Sequence, residues 1–81
     1  MMTKVDFSEA LRELKNGRSI QREGWNGKGM LIRMVEFTPT KEEIQIDNKG
    51  LVIRTPAGTY NNWMPSIIDL LAEDWVVLYF Y

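Results

Sequence analysis

Two short stretches hold most of the residues that can do chemistry. The first is GWNGKGM, residues 24–30, with three glycines, a tryptophan, an asparagine and a lysine in seven positions. Gly27 and Gly29 flank Lys28, so the backbone amides there are sterically free to face an anion with an ammonium beside them. Trp25 adds a large flat surface, and Asn26 adds both a donor and an acceptor. Such a set suits a nucleotide, with the base or ribose against the indole and phosphate near the amides and Lys28. The same letters also describe a plain turn between strands, in which Asn26-Gly27 supplies positive φ and Trp25 joins the core. The stretch lacks the spacing of the nucleoside triphosphatase phosphate loop and the Ser or Thr after its lysine.

The second stretch is WMPSIIDLLAEDW, from Trp63 to Trp75. A helix starting after Ser66 would present unpaired amides to a polar ligand group. Equally, Ser66 and Asp69 have the spacing of a capping box, and one residue can both cap a helix and line a site. Asp69 would repel phosphate but can hold ribose hydroxyls, as carboxylates do in dinucleotide sites. Glu73 and Asp74 are neighbours and point apart in helix or strand, which argues against a paired acid-base role. Trp75 reads as core. Before the glycine stretch, Arg18 and Arg22 share a strand face suited either to bidentate anion recognition or to a solvated edge.

Absences narrow the classes of function. With no His and no Cys, the chain cannot form a Ser-His-Asp triad, a Cys-His pair or the usual zinc sites. No disulfide can form, and no metal or other cofactor is expected. Ten basic and 11 acidic residues are well mixed for a net charge of −1, which argues against a nucleic-acid surface built on phosphate neutralisation. The longest near-apolar run, Trp75 to Tyr81, is too short to span a bilayer, and MMTKVDFSEA lacks an apolar signal core. A soluble intracellular chain without membrane or nucleic-acid partners is expected, and a binding module rather than an enzyme.

These residues need elements to position them. The 81 residues form one domain, 1–81, with 44% hydrophobic and 26% charged residues, an ordinary globular balance. A chain this short buries only roughly 60% of its unfolded surface, so oligomerisation is the available supplement. Asp6 to Asn16 predicts a helix: Asp6 caps, Glu9 stands three residues on, and Phe7, Ala10, Leu11 and Leu14 make one apolar face. Gly17 follows as terminator. Residues 18–23 predict a short strand with Ile20 inward. Residues 30–36 predict another, with Met30, Ile32 and Met34 on one face and Arg33 wet. The stretch 37–48 reads as an exposed loop with a possible short IQI strand. Residues 51–63 predict a hairpin turning at PAGT, and Pro65 to Ala72 a short helix with Ile67, Leu70 and Leu71 inward. WVVLYFY closes as a strand apolar on both faces, either central in the sheet or covered by a second subunit. The expected class is α+β: a mostly antiparallel β-sheet packed with one N-terminal helix and one short helix near the C-terminus.

FSEALRELKNGRSIQREGWNGKGM, followed at the far end by W-x-PS-x-x-DLLAEDW, resembles a family of small phage and prophage domains, the Thoeris anti-defence proteins of the second type. The resemblance is close over residues 7–34 and 63–76 and slight over 37–60. It implies a non-catalytic sponge that binds a cyclic nucleotide signal of a bacterial immune system and keeps it from its effector. Glyco-cyclic ADP-ribose of Thoeris is the ligand the family brings first; some members also bind cyclic dinucleotides at a separate site. The resemblance further implies dimers pairing into tetramers, ligand sites at subunit junctions, and action in the cytoplasm of an infected bacterial host. Carried over by motif, the ligand-binding positions are Arg22, Trp25, Asn26, Lys28, Trp63, Ser66 and Asp69. Many relatives have a polar pair, commonly Gln-Thr, where Ile67 and Ile68 stand here, so a polar ligand contact is lost or the ligand differs.

Three functions therefore compete. One is sequestration of a cyclic or ADP-ribose-derived nucleotide, with cyclic di- or oligonucleotides of another defence system as the alternative ligand. Another is a nucleotide hydrolase using Asp69, Glu73 or Asp74. The last is a protein-interaction module in which the two stretches are core and the aromatic carboxy terminus docks a partner.

Overall fold

The protein is described by a computed structural model covering residues 3–25, 28–36 and 49–79. Among the described residues nine elements follow one another: β1 (Lys4–Val5), α1 (Phe7–Lys15), β2 (Ser19–Arg22), a 3-10 turn (Glu23–Trp25), β3 (Leu31–Glu36), β4 (Lys49–Arg54), β5 (Tyr60–Asn62), α2 (Ile67–Leu71) and β6 (Trp75–Leu78). The strands make a six-stranded sheet in the order β1-β6-β2-β3-β4-β5, with every pairing antiparallel. The α+β expectation holds. The 37–48 loop and its IQI segment lie outside the described residues.

Helix α1 forms where its sequence signals place it. Asp6 is extended at the N-cap and its Oδ1 accepts the Glu9 amide at 2.9 Å. Glu9 does not return a bond to the cap; its carboxylate pairs with Arg12 one turn on, at 2.9 Å. Gly17 ends the helix at φ +92°, a conformation that side chains resist. Phe7, Ala10 and Leu14 are buried, with Leu11 partly so, and they press on one face of the sheet.

The carboxy-terminal strand takes the central of its two possible places. β6 lies between β1 and β2, with Val5 opposite Trp75, and Arg22 opposite Trp75 on the other side. Side chains alternate across a sheet. Trp75 thus enters the cluster under α1 with Phe7, Ile20 and Ile32, while Val76 and Leu78 gather with Leu31 on the opposite face. That second cluster explains the imperfect alternation of residues 30–36: Leu31 and Ile32 are both buried, on opposite faces. The 51–63 hairpin is present as β4 and β5, turning through Thr55–Thr59 with Gly58 at φ +89°.

The short second helix departs from expectation. α2 spans only Ile67–Leu71 and buries none of its residues. Ile67, Ile68 and Leu71 are 73–74% exposed, and Met64 just before them is 86% exposed. The predicted inward face of Ile67, Leu70 and Leu71 is therefore an outward one. Periodicity marks which residues share a side of a helix, not which side meets the core, and α2 is too short to lie along the sheet as α1 does. Among the described residues no helix is long and apolar enough to cross a membrane.

Candidate functional site

Trp75 is the centre around which the two sequence stretches meet. It is fully buried, and four side chains approach its ring. Phe7 lies at 5.5 Å between centroids, Trp25 at 5.8 Å with an interplanar angle of 88°, and Trp63 at 6.1 Å with 80°. The edge-to-face contacts place the positive rim of one ring against the negative face of another, the favourable quadrupole arrangement. The Arg22 guanidinium stands 5.6 Å from the same ring. Trp25 comes from the 3-10 turn at the end of β2, Trp63 from the exit of β5, and Arg22 from β2 directly opposite Trp75.

The polar half of the site is a chain of charge-assisted bonds. Arg22 Nη1 donates to Asp69 Oδ1 at 3.1 Å, and Arg22 Nε donates to Asp74 Oδ1 at 2.5 Å. The three side chains are 19–32% exposed, so the pairs are screened less than surface pairs and more than buried ones. Asp69 uses its other oxygen, Oδ2, to accept the Ser66 amide at 3.1 Å, and its own amide donates to Ser66 Oγ at 3.1 Å. This is the predicted capping box, complete in both directions. The Asp69 carbonyl also accepts the Trp75 indole N–H at 3.0 Å. The residue just before the glycine stretch is tied to the far end of the chain as well: the Glu23 amide donates to the Asp74 carbonyl at 3.0 Å.

Of the seven sequence-derived site residues, five come together here. Arg22, Trp25 and Trp63 touch Trp75, and Ser66 and Asp69 are linked to it through the Asp69 carbonyl. Lys28 is exposed on the turn that follows Trp25, and its amide donates to the Trp25 carbonyl at 3.0 Å, so that amide is occupied by the turn. Gly29 takes the positive φ of the stretch, +73°, with open space where a Cβ would stand. Asn26, and with Gly27 the Asn-Gly part of the turn, lies outside the described residues.

Arg18 does not join Arg22. It stands 3.4 Å from Glu13, and its guanidinium lies 4.6 Å from the Tyr79 ring. Three residues of the centre were not among the sequence-derived site positions: Phe7, read as helix core, Asp74, the second acceptor of Arg22, and Trp75, the hub. Only the acidic doublet before a tryptophan pointed there, and nothing local says that Asp74 would face Arg22 across the sheet. Glu73 is exposed and Asp74 half-buried, so the adjacent carboxylates do point apart as expected. Among the described residues no group of acidic side chains is arranged to hold a metal ion.

Chemically, the arrangement is an aromatic wall backed by an ion-paired guanidinium. Trp25 is half-buried, with Lys28 exposed beside it. Such a surface can stack a flat ring and attract an anion, while the internally bonded Arg22, Asp69 and Ser66 keep the wall in place.

Comparison with known proteins bears on the same stretches. Residues 5–78 match the profile of the Thoeris anti-defense 2-like domain. A protein of Bacillus phage SP01 named "Thoeris anti-defense 2" is 33% identical over 92 aligned positions, which take in 96% of this chain and 99% of the phage protein.

Proposed function

This chain belongs to the Thoeris anti-defense 2-like family, and we propose that it acts in phage anti-defence as a sponge, binding a cyclic or ADP-ribose-derived nucleotide signal without cleaving it. Glyco-cyclic ADP-ribose is the first ligand to test, and cyclic di- or oligonucleotides of another defence system are the alternative. The protein works as a homodimer or homotetramer inside the infected cell and is not an enzyme. One observation carries the ligand half of this reading. Two stretches separated by 32 residues converge on Trp75, where Trp25 is half-buried and Lys28 exposed.

In that role Trp25 stacks on the base or ribose, Lys28 neutralises phosphate, and Asn26 supplies the amide donor and acceptor between them. Arg22, Trp63, Ser66 and Asp69 complete the ligand set. The internal bonds of Arg22, Asp69 and Ser66 also hold Trp25 and Trp63 against Trp75. Release of the site toward a ligand would exchange one of those bonds for a contact to ribose or phosphate. The carboxylates bonded to Arg22 and to the Ser66 amide are poorly placed to activate water, which favours holding over hydrolysis.

The deciding experiment is to incubate the protein with each candidate nucleotide, remove the free ligand, denature by heat and identify what is released. Intact nucleotide in stoichiometric amount supports sequestration. A cleaved product would establish a hydrolase instead, and no retained nucleotide at all would favour a protein-interaction module.

A further inference from the structure

We infer that Asp74 is a selectivity residue of the site: its carboxylate occupies Arg22 in the free protein, and a phosphate-bearing ligand must take its place. The inference rests on the nucleotide reading above and adds to it which internal bond gives way.

Arg22 is held from two sides. Its Nε donates to Asp74 Oδ1 and its Nη1 to Asp69 Oδ1 at 3.1 Å, with the Trp75 ring centroid 5.6 Å from the guanidinium carbon. A single cation between two carboxylates leaves the group anionic. A phosphate approaching it meets repulsion, where an unpaired arginine would offer attraction. Among the described residues no other cation pairs with Asp74; Lys4, on the far side of β6, stands 3.2 Å from Glu23 instead.

The two carboxylates are not equivalent. Asp69 has further duties: Oδ2 accepts the Ser66 amide, its own amide donates to Ser66 Oγ, and its carbonyl accepts the Trp75 indole N–H. Moving Asp69 would uncap α2. Among the described residues the Asp74 side chain bonds to Arg22 alone, and it is 32% exposed against 19% for Asp69. The Asp74 backbone is fixed, since its carbonyl accepts the Glu23 amide at 3.0 Å, so its side chain is the part that can turn out to water. An anion therefore enters on the Nε side of Arg22 and displaces Asp74, while Asp69 keeps Nη1 and the helix in place.

This arrangement is a filter. Inorganic phosphate and simple mononucleotides gain at Arg22 little more than they lose by releasing Asp74. A ligand that also stacks on Trp25 and reaches Lys28 gains enough elsewhere to drive the exchange, so the counter-charge acts against the commoner anions.

Asp74→Asn tests the filter, because it keeps an oxygen for Arg22 Nε and removes the charge. Binding of adenosine, AMP and ADP-ribose is measured by calorimetry at low and high salt. At low salt the variant should bind AMP and ADP-ribose about fivefold tighter than the wild type, or more, with a smaller gain at high salt. Adenosine, which has no charge, should not change, and the gain should vanish in an Arg22→Met background. A folded variant with equal or weaker affinity for AMP and ADP-ribose would overturn the role of Asp74 even where the wild type retains a nucleotide signal. A wild type that retains none would overturn the sponge reading and this inference with it. If the variant does not fold, the wild type decides. Its Arg22 Nε–H resonance should shift as ADP-ribose is titrated to its solubility limit, and an unmoved resonance would overturn the exchange.

Discussion

Arg22 and Asp69, 47 residues apart in the chain, meet with Nη1 3.1 Å from Oδ1 and close two distant stretches of the sequence onto Trp75. The same Asp69 caps α2 through Ser66, so one carboxylate holds both the helix and the arginine. Loss of Arg22 would leave the Asp69 and Asp74 carboxylates without their shared cation, and loss of the Asp69 charge would leave Arg22 held by Asp74 alone, each in a partly dry setting. Arg22→Met and Asp69→Asn should each lower the unfolding free energy by about 1–3 kcal/mol in urea titrations. The double variant should recover about 1 kcal/mol of the summed loss. Strict additivity would mean that the contact contributes nothing to folding.

The two tryptophans of the T-shaped pair should behave differently. Trp75 is fully buried, and Trp75→Ala is expected to cost about 3–5 kcal/mol, much of the stability of so small a domain. Trp25 is half-buried and contacts it edge-on at 5.8 Å. Trp25→Ala should leave a cooperative melting transition while weakening nucleotide binding at least tenfold by calorimetry. Unchanged affinity in a folded Trp25→Ala protein would assign Trp25 to packing alone.

Lys28 projects from an exposed turn, so any attraction it exerts on phosphate is screened by salt. Lys28→Ala should therefore weaken binding more at ~0.05 M than at ~0.5 M salt. An equal loss at both ionic strengths would remove Lys28 from the site as a charge partner.

Two glycines of the same stretch offer a matched pair. Gly29 sits at φ +73°, and Gly24 has no positive φ; neither has a neighbour within 4 Å of the position a Cβ would take. Gly29→Ala should cost about 1–2 kcal/mol through backbone conformation alone. Gly24→Ala should be neutral or stabilise by up to about 1 kcal/mol by restricting the unfolded chain. Equal melting temperatures for the two variants would show that the turn relaxes without the left-handed residue.

How much of this was legible in the sequence follows the range of the forces involved. The Asp6 cap, the Gly17 terminator, the Ser66–Asp69 box and the hairpin through Gly58 were all readable, because each is decided within five residues by a side-chain bond or a backbone angle. The family stretches were readable too, and with them five residues that do converge. The second acceptor of Arg22 was not. Asp74 meets it only because β6 enters beside β2 in the register that sets Arg22 opposite Trp75. A shift of one residue would turn those side chains to the other face.

The fate of the apolar residues divides along the same line. Periodicity and composition alone determined that Phe7, Ala10 and Leu14 share a side of one helix, and that Ile67 and Leu71 share a side of another. Tertiary structure decided that the first side is core and the second faces outward. Hydrophobic burial is non-directional: it drives apolar surface out of water without specifying against what. α1 is long enough to cover the sheet, whereas α2 is a single capped turn held by its first residues, and its apolar side stays outside the core.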